Sequence, residues 1–199
     1  AAGPGGATLW IDGDDTGFAM PWQTCSTSAV LGFAERLYKV QVTTGDRPKL
    51  TIQDFDGETG ALVFDATDGR GDKQGVYAPS FSGPVEVQYV GLVQRAQVPA
   101  GTLSAHYLLP NNDGGACVAR IERPLRVKRG QETTVKAGGA VKLTLDAGGE
   151  QDTVQARLAL VTAAGDRLVE GVGEEEQAGK VEVLGPDGTV LASGEVGFG

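Results

Sequence analysis

Few side chains in this sequence are suited to covalent or acid–base chemistry. His106 is the single histidine of 199 residues, set in Ser104-Ala-His-Tyr107 within a stretch that alternates like a strand. A serine hydrolase would need it as general base, yet no G-x-S-x-G elbow presents a nucleophile. One histidine and two cysteines, Cys25 and Cys117, supply too few of the usual ligands for zinc. P-loop and dinucleotide-binding glycine patterns are also missing. No catalytic and no metal-ligating residues are therefore assigned, and His106 reads as an ordinary strand residue.

Calcium is the one cofactor left open. Asp12-Gly-Asp14-Asp15 and Asp54-Phe-Asp56-Gly57-Glu58 gather carboxylates in turns, and calcium takes six to eight oxygens from such loops. Neither run closes with the glutamate that a twelve-residue EF-hand loop requires, and Asp and Gly are common turn residues in their own right. The formal charge of −9 repels phosphate backbones, so nucleic acid is not an expected partner. Arg70-Gly71-Asp72 matches an integrin-binding triplet, but it lies in a Gly- and Asp-rich turn where such triplets arise by chance. Glu174-Glu-Glu176, flanked by glycines, reads as a solvated loop tip.

Two cysteines far apart in the chain fit a single Cys25–Cys117 disulfide, which matches an oxidising, extracellular or cell-surface setting. The opening Ala-Ala-Gly-Pro-Gly-Gly resembles an end left by signal-peptide cleavage. No apolar run approaches the ~20 residues that span a bilayer.

The elements that would carry these residues are short strands. Gly contributes 31 of 199 residues, about twice its usual share of roughly 7%, without a collagen period. The glycines punctuate strand-like runs every 8–12 residues or so, the rhythm of a β-sandwich. A hairpin is expected for residues 50–54 and 61–65, and strands for 85–93 and for most of 140–199. Residues 28–42 mix helical spacing (Ala29, Phe33, Leu37) with strand alternation (Leu37-Tyr-Lys-Val-Gln-Val42). The expectation is an all-β protein of two sandwich-like antiparallel units with little helix. Residues 1–6 form a flexible tail, residues 7–135 an N-terminal β domain and residues 136–199 a C-terminal sandwich. A break near Ala96 is the alternative.

Val98-Pro-Ala-Gly-Thr102, followed about 25 residues later by Arg126-Val-Lys-Arg-Gly130-Gln-Glu-Thr-Thr-Val135, resembles the transthyretin-like sandwiches. Within that group it is similar to the carboxypeptidase regulatory-like repeats of secreted and outer-membrane bacterial proteins. Leu103 stands where those repeats carry an aromatic. The resemblance covers about residues 98–146 and implies an all-β, non-catalytic module.

Two functions follow as expectations. The first is a non-enzymatic structural subunit of the cell exterior, such as a filament, surface layer or adhesin, self-associating or joining another surface protein by strand addition. Ala7-Thr8-Leu9-Trp10-Ile11, behind a Gly- and Pro-rich start, is the expected donor strand. The second is a carbohydrate- or ligand-binding module that uses exposed Trp10 and Trp22. Against that stands the reading of Trp10, Phe18 and Trp22 as core anchors.

Overall fold

Alternating apolar and polar residues between Gly-rich turns make strands and no helix among the described residues. The computed structural model describes residues 8–11, 24–26, 29–43, 47, 49–67, 73–110, 116–148, 155–172 and 179–196. Its first strands are β1 (Thr8–Trp10), β2 (Thr24–Ser26), β3 (Val30–Phe33), β4 (Arg36–Thr43), β5 (Lys49–Asp54) and β6 (Thr59–Thr67). Next come β7 (Lys73–Gln74), β8 (Val76–Ser82), β9 (Val87–Tyr89), β10 (Leu92–Val93), β11 (Arg95–Pro99), β12 (Gly101–Pro110) and β13 (Ala116–Val127). The last are β14 (Glu132–Gly138), β15 (Val141–Gly148), β16 (Gln155–Thr162), β17 (Arg167–Val172), β18 (Gly179–Leu184) and β19 (Val190–Val196).

Eleven strands form one long sheet in the order β15-β16-β17-β13-β12-β8-β9-β3-β4-β5, with β10 beside β8. A smaller sheet, β11-β6-β14 with β7 on β6, supplies the facing layer. Two two-stranded pieces complete the fold, β1-β2 and β18-β19. The pairing is mixed rather than purely antiparallel, because β3 runs parallel to β9 and β14 parallel to β6.

The main core lies between the two sheets. Leu103, Ala105 and Tyr107 of β12 meet Leu62 and Phe64 of β6 and Val135 and Ala137 of β14 there. Phe81 is wholly buried, its ring 6.3 Å from Phe64 and 6.2 Å from Tyr89 between centroids. A second cluster, Ala29, Leu31, Val40 and Val90, forms on the other face of the long sheet, with Leu9, Ile11 and Tyr38 packed on it. Residues 29–42 therefore have apolar partners on both faces, which is why the spacing of this stretch looks partly helical. They fold as the β3–β4 hairpin, turning through Ala34 and Glu35 at φ 46° and 62°.

One sequence expectation is corrected. Residues 50–54 and 61–65 do not form a hairpin: β5 pairs with β4, and β6 sits in the facing sheet between β11 and β14. The turn residues between them carry the chain from one layer to the other, with Phe55 N–H donating to Leu37 O at 2.9 Å. Strands on either side of residues 135–140 share the long sheet. Here β14 belongs to the main core, and β17 pairs with β13 to add β15–β17 to the same sheet.

Candidate assembly surface

The most exposed apolar rows of the long sheet lie at its two ends. Among the described residues, β15 has a neighbour on one side only, β16, and β5 has only β4. An end strand of this kind presents unpaired backbone N–H and C=O groups, a template for another strand. On β15, Val141, Leu143 and Leu145 are 47%, 66% and 64% exposed, and on β5, Leu50 and Ile52 are 50% and 55% exposed. Both rows follow the two-residue strand period and so each occupies one face.

Register decides which face. Leu143 and Leu145 stand opposite Leu160 and Leu158, and Leu168 of β17 stands opposite core residue Ala119. The β15 row therefore continues the core face of the sheet, past the reach of the covering layer. Leu50 and Ile52 stand opposite Val42 and Val40, and Val40 belongs to the second cluster. The β5 row thus lies on the outer face. Both strands carry a similar run, Lys49-Leu-Thr-Ile52 and Lys142-Leu-Thr-Leu145.

The β15–β17 extension is braced by a buried carboxylate. Asp166, 0% exposed, lies at the β16–β17 turn; its carbonyl accepts from Thr162 N–H at 2.8 Å and its own N–H donates to Thr162 Oγ1 at 3.1 Å. Tyr107 Oη donates to Asp166 Oδ2 at 2.6 Å, and Gly138 N–H donates to Tyr107 Oη at 2.7 Å and to Asp166 Oδ2 at 3.0 Å. Burial, then the hydrogen bond and charge of Asp166, push the Tyr107 phenol well above its ordinary value. Asp166 Oδ1 has no hydrogen-bond donor among the described residues; Arg123 Nη1 lies 3.7 Å away, at ion-pair distance only. Gly138 can take part because its φ is +70° and a Cβ there would come within 2.7 Å of Thr67 O.

The candidate residues from the sequence fall elsewhere. β1 pairs with β2, Leu9 opposite Cys25, and Leu9 and Ile11 pack on the second cluster. Of the expected donor strand Ala7–Ile11, Thr8–Trp10 is thus already paired within its own chain. Trp10 is 63% exposed, which corrects its reading as a core anchor. Ala7, Asp12 to Asp15, Phe18, Trp22, Arg70 to Asp72 and Glu174 to Glu176 lie outside the described residues.

Cys117 is a free, half-buried thiol, and burial raises its pKa. It stands opposite Leu109, which packs on the main core, whereas β2 lies on the far face, where Ser26 N–H donates to Gln88 Oε1 at 2.8 Å. The sheet itself stands between Cys117 and the strand that carries Cys25. The Cys25 side chain is outside the description.

The second acidic turn is spent on ion pairs. Asp54 meets Arg36 at 2.8 Å, Asp56 meets Lys39 at 2.5 Å, and Glu58 meets Arg129 at 2.8 Å. The hydrogen bond from Lys39 holds Asp56 below the usual carboxylate range. No cluster of three or more metal-binding side chains occurs among the described residues. His106 faces outward between Ser80 and Arg120, and burial together with the Arg120 charge lowers its pKa, against a smaller opposing pull from Glu122.

No helix among the described residues is long and apolar enough to cross a membrane. No family model, no characterised protein and no solved structure matches this chain.

Proposed function

We propose that this chain is a non-enzymatic structural subunit of the cell exterior that assembles by joining sheet edges between copies. The observation that carries this reading is the pair of end strands, β5 and β15, each with one neighbour among the described residues and an exposed apolar row. Soluble β-proteins commonly blunt such edges with charge, proline or a cover, because open edges aggregate. The resemblance of residues 98–146 to transthyretin-like modules belongs to the same non-catalytic reading. Its two turns, at Ala100 and at Arg129-Gly130, each carry the chain between the facing layers.

The net charge of −9 opposes association at low ionic strength, so salt should promote it. The test is light scattering on the full chain across concentration at low and moderate salt. Growth in mass with concentration supports an assembling subunit; a monomer at the highest soluble concentration refutes one.

The exposure of Trp10 favours one second reading, a carbohydrate-binding surface on the β1–β2 side. Tryptophan fluorescence during oligosaccharide titration tests it. A saturable change that disappears in Trp10→Ala would favour binding over assembly.

A further inference from the structure

We infer that β15 is the junction between two copies of this chain, paired antiparallel to itself about a twofold axis through Thr144. The inference rests on the assembly reading above and specifies its geometry.

An isologous contact needs a patch that complements itself when rotated by half a turn. With Thr144 opposite Thr144 of the second copy, Leu143 falls opposite Leu145, and Lys142 opposite Asp146. Each of the latter two pairs occurs twice. Residues directly opposite in an antiparallel pair share a face. The leucines therefore merge into one row of four, with Leu158 and Leu160 beside them in each copy. Lys142 and Asp146 take facing register positions on the opposite face. A twofold axis normal to the sheet keeps the core faces of both copies on the same side, so the row continues across the junction.

The other edge complements itself less well. With Thr51 as the centre of a β5–β5 pair, Leu50 faces Ile52, but Lys49 faces Gln53 and no ion pair forms. Joining β5 of one copy to β15 of the next also asks more of the geometry. The two strands run the same way along the sheet and carry their apolar rows on opposite faces. Those rows meet only if each copy is turned over relative to the last. Self-complementary charge and the more exposed row both favour β15 with β15.

Because residue 144 faces itself, a single substitution reads the register. Thr144 is exposed, its hydroxyl donating to Ala159 O at 3.0 Å, so Thr144→Cys should leave the fold intact, with circular dichroism and the thermal midpoint as controls. Oxidising the full chain should give dimers whose peptide map contains a 144–144 disulfide. Leu143→Lys should weaken self-association by about 100-fold, since the lost leucine appears twice at the junction. Ile52→Lys on β5 should leave the β15 dimer unchanged.

Links between residues 144 and 51 in a Thr51→Cys, Thr144→Cys chain, forming ladders beyond the dimer, would overturn the twofold junction in favour of alternating edges. Self-association of the unmodified chain that survives Leu143→Lys would also overturn it, while leaving the assembly reading standing. A chain monomeric at every concentration would overturn both.

Discussion

The Tyr107 hydroxyl and the Asp166 carboxylate, 59 residues apart, meet at 2.6 Å in a site where Asp166 has no solvent exposure. The bond ties β12, at the centre of the long sheet, to the turn that launches β17. A buried acceptor is costly to leave unmatched, so this pair fixes where the β15–β17 extension attaches.

Substitutions at this pair should differ in severity. Tyr107→Phe removes one donor and should cost about 1–3 kcal/mol in chemical denaturation. Asp166→Ala leaves the Tyr107 hydroxyl and Gly138 N–H without their buried carboxylate partner and should cost about 2–4 kcal/mol. If the extension carries the assembly edge, Asp166→Ala also weakens self-association under conditions where the core stays folded. Equal stability of Asp166→Ala and the unmodified chain would contradict the bracing role.

Gly138→Ala tests the backbone that completes the site. A side chain there takes a left-handed φ and its Cβ comes within 2.7 Å of Thr67 O. A loss of about 1–3 kcal/mol is expected from thermal or denaturant unfolding. A neutral outcome would mean that residues 138–139 relax without disturbing the Asp166 contacts.

His106 should give a pH signature. Burial and Arg120 lower its folded pKa beneath the unfolded value near 6.5. In that window the unfolded chain binds more protons than the folded one. The His106 contribution is therefore complete above about pH 6.5 and declines as pH falls from there through the lowered folded pKa. Comparing unfolding free energies of the unmodified chain and His106→Gln between pH 7.5 and 5 isolates it. An unchanged pH slope in the variant would remove His106 as the cause.

Cys117 should be a slow thiol. Its raised pKa reduces the thiolate fraction at neutral pH, and its partial burial limits access. Alkylation followed by mass spectrometry should show Cys117 modified slowly in the folded protein and fully after denaturation without reductant. A recovered Cys25–Cys117 peptide would contradict the free thiol.

The all-β class was legible in the sequence because alternation and turn chemistry are local. Val98-Pro-Ala-Gly-Thr102 and Lys128-Arg-Gly130-Gln do make the turns expected of them, with Gly101 and Gly130 at positive φ. Pairing partners were not legible. Lys49–Asp54 and Thr59–Thr67 look like the arms of a hairpin, yet they lie in different layers, because β6 gains more by sitting between β11 and β14 with Leu62 wholly buried. Asp166 offered no signal, since one aspartate after a Gly-containing turn resembles any solvated one. Only the fold brings Tyr107 and Gly138 to it. The similar runs in β5 and β15 were readable in the sequence, but not their position at the two ends of one sheet. Local residue preferences determine strands and turns, whereas which edges stay open depends on how all the strands share their long-range hydrogen bonds and buried faces.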